Sequence, residues 1–268
     1  MLALPGLALD DPAAWHWTIW QGWQGDVSVS ARTVSSGLRP VAEGLAARLI
    51  LASGAASIQD ISASVSGGRL SARVALDTTQ HPPVLAAQAD LEQARLGPWP
   101  SAAPFGLQGG SLDAAGDVLA RGDGGAALLA GAEGSVSGKV ADATLGGIDL
   151  TALTAALHAR GPHLAAQLAA ALGGGTSPGL EGEFSARIAD GTVTLGQARL
   201  EGAAGAVDLS GSVRGRDGAA ALFATAWPAV PSPPGLRRDL AAGVKGADVK
   251  PGLIWAGQGQ THRPRRKK

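Results

Sequence analysis

The residues able to do chemistry are few in this 268-residue chain, and they stand apart from one another. The five histidines are His16, His81, His158, His163 and His262. The nearest two, His158 and His163, are five positions apart across Gly161-Pro162, not the i, i+4 spacing that sets two imidazoles on one helix face around a metal. There is no cysteine, so disulfides, thiolate nucleophiles and Cys-based zinc sites are excluded. Gly134-Ser135-Val136-Ser137-Gly138-Lys139 imitates a phosphate loop. That loop needs four residues between its glycines and Ser or Thr after the Lys; here three intervene and Val140 follows. Glu181, Glu183 and Asp190 imitate a carboxylate pair, but alternation sets Glu181 and Glu183 beside Ser185 and Arg187, as on a solvated strand face. These patterns predict a protein that is not an enzyme, with no catalytic residue, metal or cofactor.

Two segments point outward to partners. Trp15, Trp17, Trp20 and Trp23 place four of the seven tryptophans within nine residues. They read as a plug on the first strands or as contact with a membrane interface. No Lys or Arg is interleaved, which argues against base stacking and nucleic acid. Arg263, Arg265, Arg266, Lys267 and Lys268 form a basic tail that could touch anionic headgroups. The chain carries 22 Lys+Arg against 22 Asp+Glu, so without that tail the remainder is acidic and would not steer itself toward phosphates. The apolar run Leu2–Leu9 has no basic flank and ends at Asp10-Asp11-Pro12; it is too short for a signal peptide core or a membrane span.

The elements are β-strands of period two, punctuated by glycine, of which there are 40. In Leu70–Asp77 every even residue is apolar. Val27, Val29 and Ala31 alternate with Asp26, Ser28, Ser30 and Arg32; Ile61, Ala63 and Val65 alternate with serines. Phe184, Ala186 and Ile188 oppose Ser185 and Arg187, and Val207, Leu209 and Val213 oppose Asp208, Ser210, Ser212 and Arg214. Such strands build an antiparallel sheet with one apolar and one wet face. Turns are expected at Gly67-Gly68, Gly109-Gly110, Gly146-Gly147, Asp190-Gly191 and Glu201-Gly202, with a tight hairpin across Ile188–Val193. Asp149 is expected to cap a helix through Leu150, Leu153 and Leu157. After Gly161-Pro162 a second helical stripe follows at Leu164, Leu168 and Leu172, ended by Gly173-Gly174-Gly175. The Pro-rich stretch Trp227–Gly235 is expected to end the ladder. The expected organisation is a Trp-rich lead-in over 1–24, a β-region over 25–226, and a linker with a disordered basic tail over 227–268.

In order, these motifs resemble the AsmA family. The stretch Gly173–Val213, GGGTSPGLEGEFSARIADGTVTLGQARLEGAAGAVDLSGSV, resembles the family's C-terminal region: a Gly-Thr after a helix, a strand, a "DG" turn, a strand, then a "VDL..G" strand. GSVSGKVADATLGGIDLTAL (Gly134–Leu153) resembles the stretch leading into the helices, and GDVSVSA (Gly25–Ala31) and ISASVSGGRLSARVALD (Ile61–Asp77) resemble the preceding repeats. Together the motifs cover about residues 25–215. The resemblance implies a mainly β fold: an elongated, curled antiparallel sheet forming an apolar groove, with two short helices near 150–172. It also implies a periplasmic protein, inner-membrane-anchored in full-length relatives, concerned with outer-membrane biogenesis and phospholipid movement. This chain departs from the family in lacking the N-terminal transmembrane helix and most of the usual length.

Alternation supports the groove separately, because one apolar sheet face with only two short helices to cover it must be buried against something else. Phospholipid acyl chains fit that need, and Leu70, Val74, Leu76, Phe184, Ile188, Val207, Leu209 and Val213 are expected to face inward, joined by Val193 and Leu195. A structural, secreted β-repeat of the adhesin-passenger kind is the alternative; it predicts a closed, side-chain-filled interior. An enzyme on a β scaffold would need convergent carboxylates or a histidine.

Overall fold

The computed structural model describes residues 24–36, 39–97, 106–159, 163–215, 220–230, 235–240 and 254–256. The Trp15–Trp23 cluster and the basic tail lie outside the described residues. Strands β1 (Gly25–Ser36), β2 (Arg39–Ala52), β3 (Ala55–Val65), β4 (Gly68–Asp77) and β5 (Val84–Arg95) follow one another. After them come β6 (Gly106–Gln108), β7 (Ser111–Arg121), α1 (Gly125–Ala130) and β8 (Ala132–Gly146). Helices α2 (Leu150–Ala159) and α3 (Leu164–Gly173) lead into β9 (Thr176–Ala189), β10 (Thr192–Gly202), β11 (Gly205–Arg214), β12 (Ala220–Pro228), β13 (Gly235–Leu240) and β14 (Ile254–Ala256). The strands form one open antiparallel sheet in chain order; only the short β6 leaves the path, pairing with β8. The mainly β expectation and the two helices near 150–172 are both met.

The turns follow local chemistry. Asp190 (φ 50°) and Gly191 (φ 66°) both take positive φ, the signature of the two-residue hairpin turn whose twist suits antiparallel strands, so β9 and β10 meet at Ala189 and Thr192 as expected. The turn expected at Gly67-Gly68 is centred one residue earlier, on Ser66-Gly67, and Gly68 opens β4 opposite Val65. The turn expected at Glu201-Gly202 lies on Ala203-Ala204, between the facing pair Gly202 and Gly205. Gly109-Gly110 joins β6 to β7, which do not pair, and Gly147 leads into α2.

Where the sequence alternation slips by one residue, the strand bulges. Asp60 in β3, Gln93 in β5 and Asp142 in β8 all have φ near +50° and sit at register shifts. The extra residue keeps Ile58 and Ile61, Leu91 and Ala94, and Val140 and Ala143 on one face despite their odd spacing. The same happens in β10 between Leu195 and Ala198. The backbone N–H of Gln93 donates to Asp113 Oδ1 at 2.6 Å, which occupies a donor freed by the bulge.

The core lies at one end of the strands. Leu145, Ile148, Leu150, Leu153, Leu168, Leu180, Leu200 and Val207 are fully buried where α2 and α3 pack on the sheet. Asp149 caps α2 as expected: its Oδ1 accepts from the N–H of Ala152 at 2.8 Å. The buried Ser177 Oγ accepts from the N–H of Leu150 (3.0 Å) and donates to the carbonyl of Ile148 (2.8 Å), pinning the helix start to β9. Ser177→Ala would leave both backbone groups unsatisfied in the core, and urea unfolding is expected to show about 1–3 kcal/mol of lost stability.

Strand pairing passes the boundary expected at Ala226. Strand β12 runs to Pro228, opposite Gly205, and β13 pairs with β12 from Leu236 opposite Ala226. Pro228 stands at the strand end, where a missing N–H costs no ladder bond.

Candidate functional site

Antiparallel partners project to the same side of a sheet, so the register alone assembles the apolar face. One unbroken row of directly paired residues crosses ten strands: Val27, Leu49, Ile58, Val74, Ala87, Val118, Gly134, Ile188, Val193 and Val213. At about 4.8 Å per strand this row extends roughly 43 Å. A second row runs beside it through Ile61, Ala72, Ala89, Gly116, Val136, Ala186, Leu195, Gly211 and Leu222. All ten residues expected to face inward share this face: Leu70, Val74 and Leu76 on β4; Phe184 and Ile188 on β9; Val193 and Leu195 on β10; Val207, Leu209 and Val213 on β11.

Their surroundings differ, and sequence did not separate them. Val207 is fully buried beneath α2, while Phe184 and Leu209 are half-buried at the margin of the same core. Ile188 packs toward α1, whose Leu128 rests on Ala120 and Ala132 with Leu85 and Val118 beside it. Helix α1 precedes β8 and α2 follows it, so the two helical covers flank opposite ends of the strands. Among the described residues no element covers the face between them. Val193 and Val213 keep 36% and 37% of their surface exposed, and Leu70, Val74, Leu76 and Leu195 are half-buried. A six-residue helix is too short to show a periodic stripe, so α1 had no sequence signal beyond its flanking glycines.

Small residues lower the middle of this face. Gly134 and Gly138 alternate with Val136 along β8, and Gly116 and Ala186 pair with Val136 from either side. The Phe184 ring lies over Gly138: a Cβ placed there would stand 2.6 Å from ring atoms Cε1 and Cζ and against the Asp113 carbonyl. Gly138→Val is therefore expected to displace the ring and strain the β7–β8 pairing, lowering the thermal midpoint. Gly174→Ala, which meets only the Ala170 carbonyl at 3.9 Å, serves as the mild control.

The opposite face is wet and internally paired. Arg48 ion-pairs with Asp26, and its hydrogen bond holds the Asp26 carboxyl below its usual range. Arg199 bridges Glu201 (2.6 Å) and Asp208 (3.1 Å), and Trp227 Nε1 donates to Asp208. The hydrogen bond to Glu201 is the main reason that the Arg199 guanidinium is raised above its usual pKa. Depressions on this side are shallow and open, such as that between Asp90, Asp113, Lys139 and Glu183. Glu181 and Glu183 lie on the wet face as alternation indicated, opposite Glu201 and Arg199. Among the described residues no three His, Asp or Glu side chains gather to hold a metal, and no helix is long and apolar enough to cross a membrane.

Comparison with known proteins returns one family. The AsmA family model matches residues 12–199, well over half of the chain. The match takes in the uncovered face as far as β10 and stops short of β11 and β12. Neither the curated proteins nor the solved structures contain a match.

Proposed function

Because the chain belongs to the AsmA family, we propose that it serves in bacterial envelope biogenesis as a periplasmic binding protein rather than an enzyme, shielding phospholipid acyl chains on its uncovered apolar face. One observation carries this: an apolar row across ten paired strands, capped by helices at the strand ends and, among the described residues, left uncovered between them. Exposed apolar surface of that continuity marks a binding surface. An acyl chain laid on it gains about 0.8 kcal/mol per buried methylene. No cationic side chain stands in the two central rows, so affinity comes from area and headgroup discrimination is weak.

The test is native mass spectrometry with lipid extraction on the full chain purified without detergent. Phospholipid of mixed headgroup, released on denaturation, is the expected result. A folded, β-rich and lipid-free protein would refute the proposal and return the chain to the structural β-repeat alternative. Because the tryptophan cluster and the basic tail lie outside the described residues, their membrane contact is proposed on sequence alone. Vesicle sedimentation with and without anionic lipid tests it.

A further inference from the structure

The edge of the sheet at β1 carries an interaction surface of its own. Among the described residues no strand pairs with the outer side of β1. Edge strands in proteins are blunted by proline, lysine, bulges or covering elements, because an unpaired ladder recruits another strand. From Gly25 to Thr33, β1 holds no proline and no lysine, its register with β2 is continuous until the shift between Val34 and Ser35, and among the described residues no element pairs with its outer side. Its apolar residues are more exposed than their row partners. Val27 and Val29 keep 46% and 39% of their surface, whereas Leu49, Ile58 and Val74 in the row of Val27 are half-buried.

We propose that β1 pairs with β1 of a second copy of this chain, antiparallel about a two-fold axis at Val29. The sequence of the strand is complementary to itself in this register. Placing Val29 opposite Val29 of the second copy brings Val27 opposite Ala31, Ser28 opposite Ser30, and Asp26 opposite Arg32 on each side of the axis. Apolar residues meet apolar residues, hydroxyls meet hydroxyls, and two opposite-charge pairs form, the arrangement that favours cross-strand association. Asp26 already binds Arg48 of β2, and a carboxylate has acceptor capacity left for a second guanidinium. A two-fold axis perpendicular to the sheet keeps both apolar faces on the same side, so the rows of one copy run on into those of the other. Shifting the register by one residue would set apolar against polar positions and lose both charge pairs. This association does not depend on what the apolar face binds.

The absence of cysteine makes the test clean. In the full chain, Val29→Cys puts two sulfurs at the axis with Cα atoms about 5 Å apart, within disulfide reach. Val27→Cys puts them about 14 Å apart, beyond it. The expected result on mild oxidation is a disulfide-linked dimer from Val29→Cys and none from Val27→Cys. Light scattering is expected to find a dimer of the unmodified protein, weakened at least about tenfold by Arg32→Asp, which sets two carboxylates against each other. Circular dichroism confirms that each variant is folded. A monomer throughout the accessible concentration range, with no cross-link at residue 29, overturns the proposal. Equal cross-linking at 27 and 29 overturns the register.

Discussion

Leu153→Ala is expected to cost about 2–5 kcal/mol of stability, because the side chain is fully buried between α2 and the sheet and its loss leaves a cavity that the surrounding leucines cannot collapse into. Urea unfolding followed by circular dichroism measures it, with the exposed Thr151→Ala as a control expected within about 0.5 kcal/mol of the parent. The result bears on function. A large loss means that α2 and α3 are a permanent second layer over Leu180, Leu200 and Val207, and that the lipid surface is restricted to the open part of the face. If Leu153→Ala left stability unchanged and increased bound lipid, the helices would be a removable cover and the binding surface would extend beneath them.

Charging the open face is expected to abolish lipid retention without unfolding the sheet. In Leu195→Glu a carboxylate replaces a half-buried leucine of the second apolar row, between Ala186 and Gly211. An acyl chain laid over that position would have to desolvate the charge without any partner for it. Val74→Asp does the same in the first row. Each is expected to lower extracted phospholipid by about tenfold or more, the equivalent of roughly 1.4 kcal/mol or more of binding free energy. Thr194→Glu is the matched control. Thr194 is exposed on the wet face, opposite Arg187 and Ser212, so an added carboxylate gains a cross-strand cation and should leave lipid untouched. Equal loss in Thr194→Glu would place the lipid elsewhere, and no loss in either inward variant would sink the acyl-chain proposal.

Both variants and the β1 pairing rest on which side of the sheet each residue occupies, and there the sequence was most informative. Period-two alternation in Leu70–Asp77, Phe184–Ile188 and Val207–Val213 determines the facing of those residues, because side chains on a strand can point only two ways and the apolar set must leave water together. The Asp190-Gly191 turn and the Asp149 cap were legible for a similar reason: each is local chemistry complete within a few residues. The sequence also held the family motifs, spread over a span that the family match overlaps from residue 25 to 199.

Tertiary structure decided what covers that face and where it stays open. The bulges at Asp60, Gln93 and Asp142 interrupt alternation, and only pairing with the neighbouring strand shows that Ile61, Ala94 and Ala143 return to the side of Ile58, Leu91 and Val140. Ser177 gave no sign of its role, since its two partners, Leu150 and Ile148, are brought to it by the return of the chain through α2 and α3. Val207 and Val213 lie on one strand and one face, yet one is fully buried under a helix and the other stands open. Alternation assigns each residue to a side of the sheet through short-range sterics. Burial depends on what packs above it, and that is set by segments distant in sequence.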